Sequence, residues 1–160
     1  MVDPLSSFIS HFVKEQKLPN QFENTDCRLL TAALLTRIAC ADNEMSELRR
    51  EKLHTLLKSR FKLNDLSTHK LISEAAAAES AAIDLYYFTR RLNAALDDEG
   101  RRQIIRMMWE ITYVDGSASD FENNLIWRAA DLLGVPSRQR IELRRRIADD
   151  RLHGAHNSTA

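Results

Sequence analysis

Two aspartates stand in matching settings, and they are the residues of this chain best placed to do chemistry. Asp42 follows Ile38 by four positions, and Asp115 follows Ile111 by four. Four positions is about one helical turn, so each carboxylate closes an apolar stripe and is expected to face inward. One position further stands Asn43 or Gly116, the types that best tolerate a left-handed backbone. Four positions after each Asp stands Ser46 or Ser119, where a helix N-cap belongs, and next comes Glu47 or Asp120. Carboxylates gathered at the inner ends of two helix pairs supply the oxygen donors that a hard cation such as Mg²⁺, Ca²⁺ or Mn²⁺ takes. The candidate metal ligands are Asp42, Asp115 and Glu122, with Glu47 and Asp120 as outer candidates. Each has a plainer use as well. An Asp in a turn accepts backbone N–H bonds of that turn. Ser119-Asp120-Phe121-Glu122 is a capping box, in which the Glu reaches back to the Ser. The two uses of Glu122 compete for one carboxylate, although one oxygen can serve each.

Other chemistries find less support. Counted from Asp115, an EF-hand loop needs Gly at position 6 and Glu at position 12, and finds Asp120 and Ile126. His11, His54, His69, His153 and His156 are scattered, and Cys27 and Cys40 lack the spacing of a zinc site. No GxGxxG, Walker A or GxSxG motif is present. Toward the C-terminus, Arg138, Arg140, Arg144, Arg145, Arg146 and Arg151 outnumber Glu142, Asp149 and Asp150. Arg138, Arg144 and Arg145 are the candidate interaction residues, able to meet phosphate, an anionic membrane surface or an acidic protein partner. The alternative is a solvated helix face with some ion pairing, with Ile141 and Ile147 turned inward.

These residues need elements to place them, and composition points to helices. Of 160 residues only 4 are Gly and 3 are Pro, which leaves little turn chemistry for a many-stranded sheet. Ala, Leu, Arg and Glu, which lose little rotamer freedom in a helix, are abundant. Lys+Arg and Asp+Glu both number 23, so the whole chain has no pull toward nucleic acid. The N-terminus has neither the basic start nor the apolar run of a signal peptide. No stretch reaches the ~20 apolar residues that span a bilayer, so a cytoplasmic location is expected.

Apolar periodicity predicts a first helix from Asp3-Pro4 to about residue 18. A second runs from about 25 to 41 with Leu30, Ala33, Leu34 and Ile38 inward. Ser46 then caps a helix presenting Leu53, Leu56, Leu57 and Phe61. The alanine run 75–78 in the next helix reads as close helix approach. Leu85, Phe88, Leu92, Ala95 and Leu96 mark a further stripe. A helix opening at Asp97-Asp98-Glu99 carries Ile104, Met108 and Ile111. Ser119 opens a helix whose expected inner face is Phe121, Leu125, Ala129 and Leu132, closed by Gly134-Val135-Pro136. The arginine-rich helix begins near Ser137. Trp109, Trp127, Tyr86, Tyr87 and Tyr113 read as core or core-edge residues.

This order of a helix, an Asp-containing turn and a second helix opened by Ser and Glu resembles the TerB-like family of tellurite-resistance-associated proteins. It is similar too to the N-terminal TerB-like domain of DnaJ-type co-chaperones. The resemblance covers about residues 29–147. It implies an all-α single-domain bundle of about seven or eight helices with two pseudo-symmetric helical hairpins. It also implies a role in stress response and a capacity to bind metal ions. The family's Asp maps to Asp42 and Asp115, and its Gly to Gly116. Its Glu, seven after the Asp, maps to Glu122, where the first copy departs with Arg49. The expected organisation is an N-terminal helix and connection over 1–24, the TerB-like domain over 25–150 and a flexible tail over 151–160. The expected function is a non-catalytic, stress-associated interaction or sensing module that binds a divalent cation through its acidic turns. Its partner is expected to be a protein, with the membrane surface as one setting. The alternatives are a scaffold whose acidic turns are only structural, and a metal-assisted helical hydrolase, which needs an open coordination position beside a pocket.

Overall fold

The computed structural model describes residues 25–41, 45–81 and 84–157. The helix expected near the N-terminus lies outside them, as does Asp42. Among the described residues the chain is all α-helical, with seven helices: α1 (Thr25–Ala39), α2 (Glu47–Phe61), α3 (Asp65–Ala81), α4 (Leu85–Ala95), α5 (Asp98–Tyr113), α6 (Asp120–Leu132) and α7 (Ser137–Asn157).

The bundle is built around α1, which packs against α2, α3, α4, α5 and α6. Its sequence explains this place. Cys27, Leu29, Leu30, the run Ala32 to Leu35, Ile38 and Ala39 are buried together with Thr31 and Thr36. The single inward stripe expected here is therefore only part of the buried surface. A helix that is apolar around most of its circumference, broken only by the half-buried Arg28 and Arg37 among its described side chains, belongs in the middle of a core. Thr36 is tolerated there because its hydroxyl donates to the Ala32 carbonyl one turn back, at 2.7 Å.

The most extensive of these contacts is with α3. Thr68, Leu71, Ala75 and Ala78 form its buried stripe, while Ala76 and Ala77 face out. Small side chains at 75 and 78 let the two backbones approach, as the alanine run implied. Then α5 contributes Ile104, Ile105, Met107, Met108, Trp109, Ile111 and Thr112 to the core. Finally, α7 lies against α5 and α6, anchored by Ile147 and the half-buried Leu143.

Three expectations about facing are corrected. The inner face of α6 is Glu122, Ile126, Ala129 and Ala130, with Leu133 just beyond its end, and Phe121 is left 62% exposed. Leu125 and Leu132 are only partly buried. Counting apolar residues turns this helix by about one position. The buried residue that decides its facing is a glutamate. Ile141 on α7 points to solvent, and so do Trp127 and Tyr86, which are not core residues. In contrast, Gly134 does what its type implies. At φ +72° it ends α6, with its own N–H on the Asp131 carbonyl and the Val135 N–H on Ala130.

Ala75→Leu is expected to cost ~1–3 kcal/mol of stability by overpacking the α1–α3 contact. Ala76→Leu, on the exposed side of the same helix, is expected to stay within about 0.5 kcal/mol of wild type. Urea denaturation of the two variants checks the pair, and equal losses would count against this packing.

A candidate ion centre between two helix turns

The turn after α5 is shaped by its hydrogen bonds. The Val114 N–H reaches the Ile111 carbonyl, and the Gly116 N–H reaches Tyr113. Gly116 takes φ +132° with open space where a Cβ would stand, so the backbone and not crowding requires glycine. Ser119 then caps α6, its Oγ accepting from the Glu122 N–H at 3.1 Å and donating to Glu122 Oε1 at 3.1 Å. The turn before α2 ends the same way, with Ser46 Oγ accepting from the Arg49 N–H at 3.2 Å.

The two turns meet. Ser46 Oγ lies 3.3 Å from Asp115 Oδ2, to which it donates. Between the turns sits the guanidinium of Arg49, which its place on the first turn of α2 aims inward. Its Nη2 donates to Glu122 Oε2 at 2.7 Å, an ion pair whose side chains are 8% and 1% exposed. Nη2 also reaches Asp115 Oδ1 at 3.5 Å. Nε lies 3.1 Å from Asp115 Oδ2, a charge contact rather than an aligned hydrogen bond. Asp115 stands at the wet edge, its side chain 29% exposed. The remaining contacts of Arg49 run to the Ala39 carbonyl at 3.5 Å and the Thr112 carbonyl at 3.4 Å. These belong to the C-terminal turns of α1 and α5, where the helix dipole is negative and carbonyls lack helical partners. One cation thus sits among two carboxylates and two helix ends.

Of the residues singled out in the sequence, Asp115 and Glu122 come together here. Glu122 does serve two masters: Oε1 faces Ser119 and Oε2 faces Arg49. Glu47 points away, exposed, and pairs with Arg50 at 3.8 Å. Asp120 is exposed on the first turn of α6. Among the described residues no three His, Cys, Asp or Glu side chains converge as a metal cluster. The central residue missed by the sequence reading is Arg49. Its signal was present as the departure from the family's Glu: opposite charges at matching positions of two related turns are what an ion pair across them requires.

The arginines of α7 separate by role. Arg144 turns inward, its Nε donating to the Tyr113 hydroxyl at 2.6 Å and its guanidinium 5.4 Å from the Trp109 ring. That is a packing role, with a cation–π contribution. Arg138 and Arg145 face solvent. Elsewhere, His54 and His69 have ring centroids 4.7 Å apart beside Asp65, and a hydrogen bond from Lys58 holds that carboxyl below its ordinary range.

Arg49→Met takes the guanidinium away from the buried Glu122 carboxylate and is expected to cost ~3–5 kcal/mol. The double variant Arg49→Met/Glu122→Leu removes both charges and is expected to lose clearly less than Arg49→Met alone. Denaturant midpoints of the two variants and wild type measure this, and additive losses would deny the coupling.

The family described as tellurite resistance protein TerB matches residues 28–145. No curated protein and no solved structure gives a significant match. The matched segment runs from the first turn of α1 into α7 and contains both turns and the whole ion centre. With its family match spanning most of the described helices, this chain belongs to the TerB family of tellurite-resistance-associated proteins.

Proposed function

We propose that the protein is a non-catalytic interaction module, stress-associated as its family membership implies, whose central carboxylates are held by its own Arg49 and not by a divalent cation. The observation that carries this reading is the guanidinium between Glu122 and Asp115, at 2.7 and 3.1 Å. A metal ion at the same oxygens has to displace Arg49 or lie against its like charge, and that repulsion is large in a poorly hydrated site. The same contacts weigh against a hydrolase. A general base or a metal ligand needs a free oxygen, and those of Glu122 are engaged by Ser119 and Arg49.

The functional surface then lies outside the centre. Leu48 and Phe121 immediately precede Arg49 and Glu122 in the chain and remain 52% and 62% exposed. Apolar side chains held in solvent beside buried anchors support a protein partner as the thing recognised. No described helix is long and apolar enough to cross a membrane.

Melting temperatures recorded with Mg²⁺, Ca²⁺, Mn²⁺ and Zn²⁺ at millimolar concentration test the reading. Wild type is expected to show no shift. Arg49→Gln, which removes the competing positive charge, is expected to gain stabilisation following RT ln(1 + [L]/Kd), about 2.7 kcal/mol at a hundredfold excess over Kd. A wild-type shift that vanishes in Asp115→Asn would overturn the proposal and restore the resident cation.

A further inference from the structure

We propose that the cleft between α5 and α7 binds a ligand carrying a phosphate or diphosphate group. The cleft is well apart in role from the ion centre: it is open to solvent and built from other residues. It has a volume of about 390 Å³, and Arg102, Arg106, Arg138 and Arg146 line it together with Glu99 and Glu142. That size falls within the range of small-molecule sites, ~300–1,000 Å³.

The charges do not cancel inside it. Arg102 is taken up by Glu99, whose carboxyl is held below its ordinary range by hydrogen bonds from Gln103 and Arg102. Arg146 is taken up by Glu142, its Nη2 donating at 2.7 Å. Two arginines are not taken up by the cleft's own glutamates. Arg106 on α5 pairs at 3.6 Å with Glu110, which stands outside the lining, and Arg138 on α7 has no carboxylate partner among the described residues. Four arginines against the two glutamates of the lining, with Glu110 on Arg106 just outside it, leave a net positive charge that suits an anion. A guanidinium fork meets two phosphate oxygens at once, which favours phosphate chemistry over a single carboxylate.

Gln139, half-buried in the cleft wall, adds a neutral amide donor. A neighbouring depression shares Arg138, Glu142 and Arg146 and adds Arg145, Asp149 and the exposed Ile141, giving room for the body of a phosphate ester.

The phosphate can come from a soluble molecule or from a lipid headgroup, and two probes separate these. Calorimetry of the full chain with inorganic pyrophosphate reads the first. Co-sedimentation with phosphatidylcholine vesicles, with and without phosphatidic acid, reads the second. The expected result is binding of at least one probe, weakened about tenfold or more in Arg106→Ala/Arg138→Ala, since a hydrogen bond to a charged group contributes about that factor. Both substituted residues are exposed, so the variant's melting temperature is expected to match wild type. Arg128→Ala, exposed on α6 and outside the cleft, is expected to leave binding unchanged and controls for loss of charge alone. Binding to vesicles only assigns the group to a headgroup, and binding to pyrophosphate assigns it to a soluble ligand. No binding of either probe, or equal weakening by Arg128→Ala, overturns the proposal.

Discussion

The guanidinium of Arg49 is a full positive charge held almost out of water, and much of the interior is arranged around that fact. An ion taken from water into a protein loses several kcal/mol of hydration, and only well-placed partners recover it. Here the partners come from four places: Glu122 on α6, Asp115 in the turn before it, and the last carbonyls of α1 and α5. No two of these are close in sequence to Arg49 except by folding, so the ion can be satisfied only when α1, α2, α5 and α6 are all docked. A buried pair of this kind adds little net stability over well-packed apolar residues. What it does is penalise every arrangement in which one partner is missing. The facing of α6 follows from it, because the helix must bury Glu122 to serve Arg49, and Phe121, one residue earlier, is carried out to solvent.

That ordering of causes explains what could be read in the sequence. The helical class, the caps at Ser46 and Ser119, the glycine stop at Gly134 and the close approach through Ala75 and Ala78 all rest on local rules or on periodicity, and all are found. The errors share one origin. Treating burial as a property of apolar side chains places Phe121, Trp127 and Ile141 inside and gives α1 a single face. A charged residue is buried when a distant residue completes it, and periodicity within one helix contains no information about that residue. Asp115 and Glu122 were legible as acids of interest, but Asp115, read as inward, stands exposed at the edge, and the buried acid is Glu122. Their partner was legible only as an exception to a repeat.

The exception is itself informative. Had position 49 carried Glu like position 122, its carboxylate would have met those of Asp115 and Glu122 with no guanidinium between them, a crowding of like charges that favours an external cation. With Arg on one side and Glu on the other, the two turns complete each other from within the chain. The turns before α2 and α6 thus share the same serine cap chemistry while dividing the ion pair between them. The cost is that Asp115 is drawn into structural work, with Ser46 and Arg49 both on its oxygens.

Net charge misleads in the same way. The total of zero excludes a strong overall field, yet it averages over very different surroundings. Some arginines are spent inside, Arg49 on the ion centre and Arg144 on Trp109 and Tyr113. Others are cancelled one turn away, as Arg101 is by Asp98 and Arg146 by Glu142. Such exposed pairs contribute little to stability, but they silence their own charges. Once the spent and silenced charges are set aside, positive charge remains in a concave place between α5 and α7, where low-dielectric walls concentrate its field. A neutral protein can therefore carry a local anion preference that no sum over its sequence would reveal, provided its folding sorts the paired charges from the unpaired ones.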